Sequence, residues 1–408
     1  MSSVFESFLA TAEMQQAWGE REFVSAMLRF EAALARAQAQ IGLIPQASAQ
    51  SIIGTCKVEL FDVARIVRDS ARAGSLAIPL VKSLKETVGL FNPQAVEHVH
   101  LGSTSQDVID TAVALIAQPA LALIDADLQL AIDALLALAE RHADDPVLAR
   151  TLMQPASVTS FGFKCMGWAA PLLRSRQRLQ AAGEQGLCLQ LGGAVGTMAQ
   201  MGGHGPEVAR LMAAELGLRC PEVAWHTQRD LWVVLGCELA VLVGSLGKVA
   251  KDVSLMGQFE VGEVAEPTEA GRGGSSAMPH KRNPVACMVS LAAATRAPQR
   301  AAALLASMVQ EHERALGSWQ AELAESAGLM MGAHAAVRAM AQTLAGLQVD
   351  APRMRTNIEQ VRRALPPQAA QEWFDPGLAR FAAQSVRAQL QTWRSRSDVA
   401  GAPATSGA

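Results

Sequence analysis

The sequence predicts an all-α protein built around a bundle of long helices, and three observations predict it. Half of the residues are hydrophobic, aromatics make up only 4% and tyrosine is absent. This Ala- and Leu-rich composition favours helices over sheets. Leu235, Leu239, Leu242, Leu246, Val249, Val253 and Met256 step alternately by four and three, an a/d seam held over three heptads. One small neighbouring helix cannot cover a seam of that length, so it predicts a bundle of several long helices, one that can be shared between subunits. Over residues 20–42, Phe23, Met27, Phe30, Leu34 and Ala37 recur at three and four to form one face of an amphipathic helix, closed by Gly42 and Pro45.

Taken in order, that helix opens a small N-terminal helical domain over residues 1–105, with shorter segments broken at Pro79 and Pro93. Its last stretch runs from His98 to Asp107 and sets Gly102 and the hydroxyls of Ser103, Thr104 and Ser105 in front of a helix. Such a segment caps the helix, and its free N–H groups and the positive end of the dipole also suit an anion. A central long-helix domain is expected over 106–345, starting with a helix from 108 to about 145. Asp145 and Pro146 break it, and Thr151 and Gln154 offer hydrogen-bonding groups before a second helix that runs through Gln185. Residues 192–197, Gly-Gly-Ala-Val-Gly-Thr, superficially suggest a dinucleotide loop but follow no strand, so they read as a turn between helices.

His226-Thr-Gln-Arg-Asp230 opens the seam helix. Residues 285–311 read as helix, kinked or interrupted at Pro298, and the charged run ending at Arg314 reads as a solvated helix face. A C-terminal helical region over 346–408 is interrupted at Pro366-Pro367 and Trp373–Pro376 and ends in a Gly/Ala/Pro/Ser/Thr tail, residues 398–408, expected to be disordered.

Composition also excludes several functions. The formal charge of −3 and the absence of a Lys/Arg block speak against nucleic acid. There is no basic-then-apolar leader, and the apolar stretch Trp232–Gly247 contains Glu238 and is too short for a bilayer. A soluble, cytoplasmic chain without membrane partners is expected. The six cysteines lack Cys-x-x-Cys spacing and read as small buried hydrophobes, and the eight dispersed histidines suggest no metal site.

Polar chemistry concentrates in residues 271–284, Gly-Arg-Gly-Gly-Ser-Ser-Ala-Met-Pro-His-Lys-Arg-Asn-Pro. Gly271, Gly273 and Gly274 open the backbone, whereas Pro279 and Pro284 restrict it. Between them Ser275, Ser276, Lys281 and Asn283 form a set able to bind carboxylates and stabilise an enolate-like oxyanion, with a deprotonated serine as base. The order of residues does not match a P-loop, because Lys281 is followed by Arg282 and Asn283.

The string GSSAMPHKRNP resembles the mobile loop of the fumarase/aspartase superfamily. AGSLAIPLVKSL, HVHLGSTSQDVIDTA, WHTQRD, GSLGKVAKDVSLM and QEHERALGSWQAE are most similar to its bacterial cycloisomerase branch, and motif order matches over roughly residues 5–360. The resemblance implies a homotetramer whose active sites gather the segments around residues 104, 154 and 275 from different subunits, with no metal or organic cofactor. It implies Ser275 and Lys281 as catalytic residues. His100, Thr104, Ser105, Gln154, Gln228, Ser276, Met278, Asn283 and Arg314 are implied to bind a di- or tricarboxylate.

The implied reaction closes a carboxylated muconate to a lactone during aromatic degradation by the protocatechuate branch. A C-terminal region shorter than the family's by several turns is also implied. Leu152 stands where the superfamily commonly has a histidine. Amine and hydroxide leaving groups gain from an acid there and a carboxylate does not, so leucine fits a cycloisomerase better than a C–N lyase. His98, His100 or His226 remain able to serve from another subunit. A sulfomuconate substrate, a C–N lyase such as adenylosuccinate lyase and a catalytically silent tetramer are the alternatives.

Overall fold

A computed structural model describes residues 4–269, 271–275 and 277–400, with side chains through 393. In chain order the helices α1 (Val4–Phe8), α2 (Ala12–Ala17), α3 (Glu20–Gln40), α4 (Gln46–Thr55), α5 (Val63–Ala73), α6 (Ala77–Phe91) and α7 (Ser105–Arg141) lead to a hairpin of β1 (Pro146–Thr151) and β2 (Gln154–Ser160). There follow α8 (Phe161–Gly186), α9 (Gly205–Leu216), α10 (Asp230–Met256), β3 (Val264–Ala265), α11 (Val285–Ala306), α12 (Ser318–Ala345) and β4 (Gln348–Val349). The chain closes with α13 (Ala351–Arg363), α14 (Pro367–Phe374) and α15 (Ala379–Ala400).

Two compact units emerge. Unit 1 comprises Met1–Ile124, Arg178–Ala240 and Arg296–His334; unit 2 comprises Asp125–Gln177, Val241–Thr295 and Ala335–Ala408. The division falls inside α7, α8, α10, α11 and α12.

The helix-rich expectation holds, and the seam on α10 is real: none of its seven residues is more than 4% exposed. Helices approach closely there. A Cβ on Gly247 would stand 2.5 Å from the Cβ of Ala294 on α11, a separation only a glycine permits. In unit 1, α3 buries Val24, Met27, Phe30 and Leu34 and packs against α4 and α9. It stops at Gln40, just before the left-handed Gly42.

Four expectations need correction. Pro79 does not break a helix; it lies in the first turn of α6, where backbone N–H groups have no intrahelical partner to lose. Pro298 does not interrupt α11, which ends earlier than expected, at Ala306, and leaves the Gln310–Arg314 run in a loop rather than on a helix face. The tail expected from residue 398 begins inside α15, and residues 401–408 lie outside the described residues. The cysteines are not uniformly buried: Cys165, Cys188 and Cys287 are, but Cys220 is exposed.

The hairpin is the largest addition. Its strands pair antiparallel with an irregularity between Ala149 and Arg150, and Thr151 faces Gln154 across a two-residue turn. In unit 2 Leu148 and Val158 enter a small core with Ile358, Phe374 and Ala379, so α13, α14 and α15 back the hairpin. Arg150 donates both Nη groups to the fully buried Glu263 (2.9 and 2.8 Å), and Asn357 on α13 donates to the same carboxylate (2.9 Å). A buried carboxylate so compensated fixes the hairpin next to its turn.

Candidate active site

In unit 1 the site is built at the N-terminus of α7. Asp107, fully buried, accepts from the backbone N–H of Thr104 (3.0 Å), Gly192 (3.0 Å) and Gly193 (2.9 Å) and is bonded to His226 Nε2 (2.7 Å). One turn on, Asp110 receives Arg229 through Nη1 (2.8 Å) and Nη2 (3.1 Å), and Trp319 Nε1 (2.8 Å). Arg229 also donates through Nε to Glu322 Oε2 (3.1 Å). Burial opposes the charge of Arg229, but Asp110 and Glu322 outweigh it and raise its pKa. Burial raises that of Glu322 in spite of Arg229. These carboxylates tie the start of α7 to the starts of α10 and α12.

The anchored segment presents hydroxyls. Arg314 donates Nη1 to Thr104 Oγ1 and Nη2 to Ser105 Oγ (3.3 Å). His100, in a left-handed conformation with φ of 65°, is bonded through Nδ1 to Glu31 Oε1 (2.6 Å) and to Ser103 Oγ (2.9 Å). Burial works against protonation of His100, but the Glu31 carboxylate prevails and raises its pKa above the ordinary 6.5. His100, Ser103, Thr104 and Ser105 line a cavity of about 560 Å³, faced on α6 by Lys82 and Lys85. Hydroxyls, a guanidinium and an imidazole whose protonated form Glu31 favours can together hold a carboxylate.

Unit 2 carries the other predicted groups except Gln228, which is in unit 1. Ser275 Oγ accepts backbone N–H from Met278 (3.1 Å) and Ala277 (3.4 Å). The base of its loop is closed by a bridge between Gly274 and Arg282 and by Asn283 N–H donating to Gly273 O (2.8 Å). Gly273 has φ of 71°, and a Cβ there would stand 2.6 Å from Asn283 O, so only glycine closes the loop this way. Lys281 and Met278 are exposed, and Asn283 is half-buried on the wall of a cavity of about 250 Å³ that Glu266 and Arg272 share. Ser276 lies outside the described residues.

At the hairpin tip Leu152 (φ 50°) and Met153 (φ 67°) are both left-handed and are 97% and 72% exposed, flanked by exposed Thr151 and Gln154. Side chains with a Cβ adopt this conformation at a cost, and such strain clusters at functional sites.

Within unit 1, then, the structure joins His100, Thr104, Ser105 and Arg314. Gln228 is not with them: it is exposed and lines a separate cavity with Trp225 and Asp230. His226 is 3% exposed and held by Asp107, which corrects the idea that it could serve from another subunit. Sequence reasoning missed Glu31, Lys82, Lys85, Asp107, Asp110 and Glu322. A signal existed for Glu31, which falls four residues after Met27 and three before Leu34, on the apolar face of α3.

A family model described as "Lyase" matches residues 5–298. The chain is 46% identical over 359 residues to the 3-carboxy-cis,cis-muconate cycloisomerase of Bradyrhizobium diazoefficiens, covering 88% of this chain and 80% of that protein. It is also 46% identical over 360 residues to that of Pseudomonas aeruginosa, covering 88% and 78%. The solved 3-carboxy-cis,cis-muconate lactonizing enzyme of Pseudomonas putida superposes with a TM-score of 0.83 at 38% identity, covering 96% of this chain and 87% of that one.

Proposed function

From the premise that this chain belongs to the lyase family, we propose that it cycloisomerises 3-carboxy-cis,cis-muconate to its muconolactone, without a cofactor, in the protocatechuate branch of aromatic catabolism. The observation that carries this reading is Arg314 laid across the hydroxyls of Thr104 and Ser105 beside a raised-pKa His100, a ready carboxylate seat. The identity to cycloisomerases supports it over a C–N lyase. So does Leu152, because lactone opening releases a carboxylate that needs no acid.

In the lactonising direction a carboxylate oxygen of the substrate forms a C–O bond to its own double bond. The π electrons move to the neighbouring carbon, which takes a proton from Ser275 Oγ; Ser275 regains one from water. The intermediate is a dianionic aci-carboxylate, and Lys281, Asn283 and backbone N–H groups supply positive potential to it. The N–H groups of Ala277 and Met278 aimed at Ser275 Oγ stabilise the alkoxide left after proton transfer. Because the nucleophile is part of the substrate, holding both ends of the diene in register is most of the remaining work.

The working form is a cytoplasmic homotetramer in which segments of several subunits complete each site. Exposure of Leu152, Met153, Met278 and Lys281 in the single chain supports this.

The test is ultraviolet absorbance loss on mixing the purified protein with 3-carboxy-cis,cis-muconate and, in parallel, with the 3-sulfo analogue. Rapid decay with the first and a specificity constant well above that for the second supports the reading. Preference for the sulfo compound reassigns the substrate, and decay with neither returns weight to a C–N lyase or a silent tetramer.

A further inference from the structure

Lys82 and Lys85 have no role in the chemistry described above, yet both face the cavity that holds His100, Thr104 and Ser105. They stand on one stripe of α6. Ile78, Val81, Lys82, Lys85 and Glu86 all line the cavity and recur at the spacings that share a helix face. That face is partly apolar: Ile78 is 51% exposed in front of the hydroxyls. Among the described residues neither lysine makes an ion pair or side-chain hydrogen bond. Arg314 is already on Thr104 and Ser105, and Lys85 acts on His100 as a like charge. Glu86 is the one carboxylate on this stripe, and Glu31 is committed to His100. The two ammonium groups outnumber Glu86, the carboxylate of their stripe, and so leave a positive charge in this cavity beyond the seat that Arg314 makes on Thr104 and Ser105, one that a further anionic group can match.

We propose that the Lys82/Lys85 face of α6 binds the third carboxylate of a tricarboxylate ligand, with Ile78 and Val81 against its carbon chain, and so sets the preference for a carboxy-substituted muconate. The proposal rests on the cycloisomerase reading for the identity of the substrate, but the charge arrangement tests independently of turnover. A flexible ammonium suits this task, since a substituent carboxylate must be gripped without bidentate geometry.

The experiment is isothermal titration calorimetry of the intact protein with tricarballylate and with glutarate, comparing wild type, Lys82→Met, Lys85→Met, the double variant and the conservative Lys85→Arg. The expected result is a loss of tricarballylate affinity of about 10-fold or more in the Met variants, largest in the double. Glutarate affinity changes less than about twofold, and Lys85→Arg retains most of the binding. Equal losses for both ligands would reduce the lysines to a general field, and no loss for either would remove them from the site; each result overturns the proposal. Turnover of 3-carboxy-cis,cis-muconate by the wild type, measured alongside, separates failure of the functional reading from failure of this one. Lys57→Met on the exposed side of unit 1 serves as a charge-matched control and leaves both affinities unchanged.

Discussion

Ser275 and His100 show how little a side chain does without the groups that set its charge. Ser275 Oγ accepts two N–H bonds from its own loop, and an oxygen so placed gives up its proton more readily because the alkoxide it leaves is stabilised. Ser275→Ala is therefore expected to lower kcat by about 100- to 10,000-fold while far-UV circular dichroism stays unchanged; near wild-type turnover would take the serine out of the mechanism. His100 is faced by Glu31 from α3, Asp107 from α7 and Lys85 from α6. Burial disfavours its charge, Glu31 restores it, and the folded pKa ends above 6.5. A raised pKa means that the charged form, and the stability and anion affinity it brings, is fully present below 6.5 and is lost as pH rises through the folded value. Glu31→Gln leaves burial opposed by Asp107 alone, so the alkaline fall of kcat/KM is expected to move to lower pH. A pH profile that does not move would show that His100 titrates independently of Glu31.

At the scale of elements, the hairpin and its backing matter most. Pro146–Thr151 and Gln154–Ser160 have little of the alternation that marks a strand, each contains a proline, and Leu152-Met153 is not a turn pair of the Asn-Gly kind. What holds them is distant in sequence: the core shared with Ile358, Phe374 and Ala379, and the bonds from Arg150 and Asn357 to Glu263. For that reason the hairpin was not legible, whereas the α10 seam and the amphipathic face of α3 were, because a local period encodes both. The polar loop at 271–284 and Arg314 stood out as candidate site residues from composition and resemblance. Lys82 and Lys85 look in the sequence like ordinary solvated helix charges until the fold sets them opposite Ser103–Ser105. The turn itself offers a test. Leu152→Asn with Met153→Gly supplies residues suited to positive φ, and neither native side chain has much packing to lose in the single chain. Thermal unfolding should show a stabilisation of about 1 kcal/mol. A loss instead would indicate that the leucine is packed in the assembled protein.

For the whole molecule, the question is what covers the long helices. α10 has the length and composition to cross a bilayer, with a window of mean hydropathy 1.8, yet 56% of that window is buried within the chain, as befits the core helix of a bundle. The rest is not covered. Leu231, Val234 and Val241 on α10 are exposed at spacings of three and seven, and within unit 2 Leu130 on α7 and Met288 on α11 are exposed as well. Apolar residues repeated along one helix face are the signature of a helix that packs against another, and the proposed homotetramer would give them that partner. If sites are completed between subunits, assembly and turnover must fail together. Val241→Glu introduces a charge on this face without touching the buried seam, so each chain should keep its helical content. Light scattering after size exclusion is expected to show dimers or monomers in place of tetramers, and turnover should fall with the tetramer fraction. Raising protein concentration should restore both in proportion. Full activity in a dissociated variant would separate catalysis from assembly and place a complete site within one chain.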